Sequence, residues 1–314
     1  MSYIQKLKQK SEEDLAKLRG EAEKLRNNGS VDNTFWYPDT DKAGNGYARV
    51  RFLPAPEVDL PDALPFVRVF SHKFENSRGE KYVNLCLSTL GLRDPVMDLC
   101  RILWKAGDQK NKDMYQKYKR KATYITNLQV LDDELHPENN GLVKRFRAGP
   151  KIWIKFEQAM EPKVKKDIPF NPFDLMNGAD FEIRIKQVGG FRNYDDSKFL
   201  NQSALSTNDD ELEEIMSKAL SLKTFIDPSR FKSFDELKAE LDSVLLETEE
   251  DRGAAAGKLN KSGMSPAFEK IESKPKAAPK TESKPKETPK SSVTTDDPPF
   301  DVDDGIDSDF FNDI

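Results

Sequence analysis

Cysteine is nearly absent. Cys86 and Cys100 are the two in 314 residues, too few for a disulfide framework and suited to a reducing compartment. Histidine is as scarce, and His72 and His136 lie far apart in sequence. No apolar run approaches the roughly 20 residues that cross a bilayer. The opening residues, Met1-Ser2-Tyr3-Ile4-Gln5-Lys6, lack the apolar core of an export signal. The expectation is a soluble intracellular protein with no membrane partner. Apolar residues make up 36% of the chain and charged residues 33%, whereas a fully globular chain has roughly 45–50% and about 25%. Part of the chain therefore cannot bury itself. There is no phosphate-cradling Gly-x-x-x-x-Gly-Lys loop and no Gly-x-Ser-x-Gly elbow. Asp195-Asp196 could be drawn as a metal-dependent nuclease pair, but adjacent loop aspartates are more often a solvated turn. The chain is not expected to be an enzyme.

The charge that is present is unevenly placed. The net charge is -5, yet residues 296–314 hold eight Asp and no Lys or Arg, which leaves residues 1–295 mildly basic. Blocks of like charge usually stay disordered and act as interaction tails. Phe300, Phe310 and Phe311 stand among Asp303, Asp304 and Asp307, which suits a partner-docking peptide better than a spacer. Residues 251–295 carry a Lys/Pro/Ser/Thr stretch with the repeat Glu-Ser-Lys-Pro-Lys at 272–276 and 282–286, a composition that reads as a flexible linker. At the other end, Ile4, Leu7, Leu15, Leu18, Ala22 and Leu25 recur at spacings of three and four, or sums of these, as on an amphipathic helix. Lys6, Lys8 and Lys10 form a small basic arm within residues 1–29. Residues 30–250, which hold nearly all the aromatics, form the expected core.

Within that core, Ala48-Arg49-Val50-Arg51-Phe52 alternates, placing apolar residues on one strand face and arginines on the other. Phe181-Glu-Ile-Arg184-Ile-Lys186 repeats the pattern. Lys119-Arg120-Lys121 and Lys144-Arg145-Phe146-Arg147 are further basic clusters. Each alone is an ordinary solvated face, but aromatics accompany most of them: Tyr115, Tyr118 and Tyr124, then Phe146, then Phe191 and Tyr194. Single-stranded nucleic acid asks for this combination, because cations neutralise its backbone while ring faces stack on unpaired bases. An RNA-binding regulator would use the same groups. Short strands with Gly-rich turns and no βαβ rhythm predict an α+β chain, with an oligonucleotide-binding (OB-like) β-barrel core, helical additions, an N-terminal helical arm and a disordered acidic C-terminal tail.

The stretch from Arg184-Ile-Lys-Gln-Val-Gly-Gly-Phe191 through Asn193-Tyr194 to Phe199-Leu-Asn-Gln-Ser203 resembles the signature of the single-stranded DNA-binding, helix-destabilising proteins of T-even-type bacteriophages. Asp41-Lys-Ala-Gly-Asn-Gly46, Arg51-Phe-Leu-Pro54, Gly149-Pro-Lys-Ile-Trp153 and Phe231-Lys-Ser-Phe234 agree in order. The resemblance implies a protein that coats transient single strands during phage replication, recombination and repair in the cytoplasm of the infected host. It implies cooperative self-association through the arm at Lys6, Lys8 and Lys10. It also implies recruitment of phage DNA polymerase, helicase-loading and recombination proteins through the tail. By position, the family's DNA contacts fall on Arg51, Lys119, Arg120, Lys121, Tyr124, Phe146, Arg147, Phe191 and Tyr194, with Phe146 in place of a tyrosine. Arg184 and Lys186 join them from the strand pattern. The best-known members hold a structural zinc on one His and three Cys. Here His72, Cys86 and Cys100 are offered, while the family's Cys-Pro-Val-Cys pair is replaced by Asp94-Pro95-Val96-Met97. An aspartate could serve as the fourth ligand of a structural zinc, but the closely spaced cysteine pair that pre-organises the site is gone, and the expectation is no cofactor and no metal, with the two cysteines packed among Leu85, Leu87, Leu90, Leu99 and Ile102.

Overall fold

A computed structural model describes residues 33–245 except Lys165. The arm, the linker and the acidic tail expected from the sequence lie outside the described residues. In chain order the main elements are β1 (Gly46–Phe52), β2 (Phe66–Glu75), β3 (Lys81–Leu85), α1 (Pro95–Ala106), α2 (Gln109–Tyr118), β4 (Lys121–Asp133), β5 (Val143–Ala148), α3 (Pro150–Met160), β6 (Ala179–Val188), β7 (Phe191–Asn193), β8 (Lys198–Gln202), α4 (Asp209–Ser217) and α5 (Phe234–Leu245).

All named strands pair antiparallel, and β4 is the spine. Its residues 121–126 pair with β2, 124–129 with β5 and 128–133 with β1. Residues shared between two partners must offer opposite edges, so β2 and β1 follow one another along one edge and β5 takes the other. The order runs β3-β2-β4-β1-β6-β7, with β5 branching from β4 and β8 from β6. Among the described residues β3 does not pair with β7, so the sheet is open and the expected closed barrel is not what the pairing gives. Helix α5 packs against β3 instead: Asn84 Nδ2 donates to Glu240 Oε2 at 2.8 Å, and Asn76 Nδ2 to the Val244 carbonyl at 2.9 Å.

The alternation read in β1 and β6 places Ala48, Val50, Phe52, Phe181, Ile183 and Ile185 in the main core. Helix α3 closes that core with Ile152, Trp153 and Phe156. Pro150 at its first turn loses no needed donor there. The Phe52 and Phe156 rings meet edge-on at 4.6 Å. Burial of a side chain of this size contributes about 1.5–3 kcal/mol. A second cluster holds α1, α2 and α5 against Phe74 and Tyr82. Helix α1 begins sharply because the Asp94 carboxylate accepts from the Val96 and Met97 amides, and it ends at Gly107, whose φ is 74°. An aspartate N-cap is worth about 1 kcal/mol. A third cluster, on the other face of β4, gathers Phe35, Val69, Ile125, Leu222 and Phe225.

Candidate nucleic-acid interface

Five of the residues expected to contact DNA are buried in the structure. Arg51 is fully buried. Its Nη1 donates to Asp180 Oδ1 at 3.1 Å, and its Nη2 donates to the carbonyls of Asp174, Leu175 and Ser203. Burial pulls its pKa below the ordinary value and Asp180 opposes that. Alternation correctly turned Arg51 away from Phe52, but the segments around 174–178 and 203 cover the face that was expected to meet solvent. Phe146 is fully buried as well, because it alternates with Arg145 and Arg147 and so points into the main core beside Trp36 and Phe52. Arg147 lies on the opposite face, its Cζ 3.8 Å from the Phe35 ring centroid and its Nη1 donating to the Tyr37 hydroxyl. Tyr124 stacks on Trp153 at 4.0 Å and an interplanar angle of 4°. Tyr194 is buried in the main core. None of these three rings presents a free face for a base.

The remaining candidates are reachable from solvent and fall into two groups. Lys119, Arg120 and Lys121 are half-buried and join α2 to β4. The Lys119 amide donates to the Tyr115 carbonyl at 2.8 Å, so the cluster sits at the C-terminus of α2, where positive charge is favoured even without a ligand. The second group is the hairpin of β6 and β7. Gly189 and Gly190 have φ of 60° and 87°, the two left-handed residues that a tight two-residue hairpin turn needs. Val188 pairs with Phe191 across it, and the Phe191 ring is 78% exposed. Arg184 and Lys186 project from the same strand, paired with Glu182 at 2.9 Å and with Asp196 respectively. In the sheet, β1 separates β4 from β6, so the two groups are not on neighbouring strands.

Two cations in these regions escaped the sequence reading. Arg192, next to Phe191, is exposed, and it opposes the upward shift that burial imposes on the Tyr194 phenol. Arg68, on β2 opposite Tyr124, is also exposed. Each is a single arginine outside any basic run, although Arg192 adjoins Phe191 and Arg68 lies two residues from Phe66 and from Phe70. Asp195 and Asp196 do not form a metal pair. Asp195 Oδ2 accepts from Asn193 Nδ2 at 2.8 Å and Asp196 meets Lys186, as a solvated turn requires.

The metal expectation can be tested against the donors present. His72 Nε2, Cys86 Sγ and a carboxylate oxygen of Asp94 lie within 4.8 Å of one another, all three side chains buried. Cys100 is not in this group, and burial pushes its thiol up to about 12. A closed structural zinc site needs four ligands, with cysteine as thiolate. Asp94 is already engaged by the amides of Leu87, Val96 and Met97. His72 Nδ1 meets the Tyr118 carbonyl at 2.9 Å and Nε2 lies 3.4 Å from Asp94 Oδ1. Burial works against charge on this imidazole, but Cys86 and Asp94 outweigh it and raise the pKa to about 10. The three donors do not fit a closed four-ligand zinc. They lie where β2, α1 and the end of α2 meet, with His72 Nε2 buried and without a hydrogen-bond partner among the described residues. Cys86 sits in the main core, Cys100 packs with Leu87 and Leu99 in the helical cluster, and Leu85 belongs to the third cluster.

A family model described as gp32 DNA binding protein like matches residues 44–245. Over 238 residues the chain is 36% identical to the single-stranded DNA-binding protein of Enterobacteria phage T4, covering 73% of this chain and 77% of that protein. The single-stranded DNA-binding protein of Enterobacteria phage T2 is 36% identical over 239 residues with the same coverage. That of Enterobacteria phage RB70 is 34% identical over 115 residues, 35% of this chain and 93% of the relative.

Proposed function

The chain belongs to the gp32-like family of phage single-stranded DNA-binding proteins, and from that premise we propose that it coats unpaired DNA without sequence preference during phage replication, recombination and repair in the infected host. The family is one of binding proteins, not enzymes. The observation that carries the reading is the Phe191 ring, held out on the β6–β7 hairpin on the strand face that also carries Arg184 and Lys186. An exposed ring can stack on an unpaired base. A duplex has its bases already stacked and cannot use it, so preference for open strands lowers the melting temperature with no nucleotide hydrolysis. Lys119, Arg120 and Lys121 supply further charge for the backbone. The shared spine β4, with β2 and β1 along one edge and β5 on the other, supports a curled sheet of the oligonucleotide-binding type.

The arm with Lys6, Lys8 and Lys10 associates with a neighbouring copy along the strand. The acidic tail imitates a polyanion, competes for the basic surface in the free protein, and exposes Asp303, Asp304, Asp307, Phe310 and Phe311 to replication and recombination partners once DNA is bound. A titration of poly-dT and of duplex at two ionic strengths, followed by Trp fluorescence, tests the reading. Poly-dT binds far more tightly, and its affinity falls with salt by about 0.7 log units per log unit for each phosphate neutralised. Equal affinity for duplex would defeat it, and a preference for matched RNA would favour the regulatory alternative. The same titration on a chain ending at Thr295 gives tighter binding at low salt; unchanged affinity removes the competition.

No metal enters this function. Protein purified without added zinc and dialysed is expected to hold no stoichiometric metal, and chelator leaves its melting temperature unchanged. One retained equivalent of zinc, with a lower melting temperature after chelation, would restore the metal at His72, Cys86 and Asp94.

A further inference from the structure

Among the described arginines, Arg49, Arg51, Arg78, Arg93, Arg101 and Arg184 each reach a carboxylate. Arg68 and Arg120 make no ion pair among the described residues, and both lie against one ring. Arg120 Cζ is 4.1 Å and Arg68 Cζ 4.8 Å from the centroid of Phe70. Strand pairing produces the arrangement: Arg68 and Phe70 are two apart on β2, opposite Tyr124 and Ala122 of β4, and Arg120 immediately precedes that strand. Each guanidinium is further held. Arg120 Nη1 donates to Ser88 Oγ at 2.8 Å. Arg68 acts on the Tyr124 phenol, opposing the upward shift from burial, while Glu157 on α3 acts on that phenol in the opposite direction.

Two guanidinium groups in contact with one ring, neither in an ion pair among the described residues, favour an anion there. The ring contact holds each guanidinium, whose planar fork of N–H donors suits the bidentate geometry of phosphate. Phe70 itself is only 6% exposed, too little to offer a base a stacking face. The position is therefore built for backbone and not for base. We propose that Arg68 and Arg120 form a phosphodiester clamp for unpaired DNA, a subsite distinct from the Phe191 hairpin. This rests on the single-strand-binding reading above and assigns Arg68 a role that no basic run in the sequence marks.

The full-length protein, Arg68→Ala and Arg68→Lys are titrated with oligo-dT from low to moderate salt, and each is melted to check its fold. The alanine variant is expected to bind about tenfold more weakly at low salt, with its salt slope reduced by about 0.7, the contribution of one phosphate on a single strand. The lysine variant recovers the slope and only part of the affinity, because an ammonium keeps the charge without the fork. Wild-type slope and affinity in a folded alanine variant would overturn the clamp while leaving the family reading intact. Failure of the unmodified protein to bind oligo-dT would overturn that reading as well. Inorganic phosphate that displaces oligo-dT from the unmodified protein more strongly than chloride at equal ionic strength, and not from Arg68→Ala, would reassign the pair as a simple anion site.

Discussion

Replacing Arg51 with alanine lowers the unfolding free energy by about 1–3 kcal/mol, the cost of leaving buried polar groups without a partner, while Asp180 keeps Arg49 at 3.6 Å. The side chain is wholly covered, and its loss leaves Asp180 and the carbonyls of Asp174, Leu175 and Ser203 without their shared donor. Lysine recovers only part of the stability, since one ammonium cannot span acceptors that the fork reaches from two nitrogens. Gly178 shows how tightly the acceptors are wrapped: a Cβ there would stand 2.2 Å from the Asp174 carbonyl oxygen and 3.2 Å from Arg51 Nη2. Gly178→Ala is therefore destabilising through the same region. Urea unfolding of Arg51→Ala beside its oligo-dT affinity separates the two roles this arginine has been given. Wild-type stability with weakened DNA binding would return Arg51 to the backbone contacts.

The burial of Arg51, Phe146 and Tyr124, which the sequence did not announce, has a common cause. Alternation correctly turned Phe52 inward and Arg51 the other way, but it cannot say whether a second layer covers that other face. At Arg51 the layer comes from residues more than a hundred positions away. Phe146 could have been read correctly from the strand itself, since it must face opposite Arg145 and Arg147, and those two stack on Phe225 and Phe35. Tyr124 follows three basic residues, yet it is claimed by Trp153 from a helix that the tyrosine's own neighbourhood does not announce. The β6 pattern was legible in full: Phe181, Ile183 and Ile185 are buried, and Arg184 and Lys186 are exposed. There the strand has one covered face and one open face, the case in which a period of two carries all the information. Arg68 went unread for a different reason, being an isolated charge beside Phe70 of its own strand, with Tyr124 brought opposite it by pairing with β4.

Phe191→Ala reverses the Arg51 result, weakening oligo-dT binding by about 5- to 150-fold while leaving the melting temperature almost unchanged. Loss of one base-stacking ring costs about 1–3 kcal/mol of binding, and each 1.4 kcal/mol is tenfold in affinity. The fold loses little, because a side chain 78% exposed contributes little buried area and surface substitutions usually stay within about 0.5 kcal/mol. Phe191→Trp keeps a stacking face and retains the affinity, whereas Phe191→Leu keeps apolar bulk without a ring and does not. The hairpin gives a second handle on the same claim. Gly190 has φ of 87° with no heavy atom within 4 Å of an added Cβ, so Gly190→Val meets no clash and is strained only through its backbone. Straining the turn redirects Phe191 without removing a charge, so affinity falls while the salt slope stays at its wild-type value. A slope that fell in step with affinity would mean that the hairpin acts through its cations, and the stacking role of Phe191 would be lost.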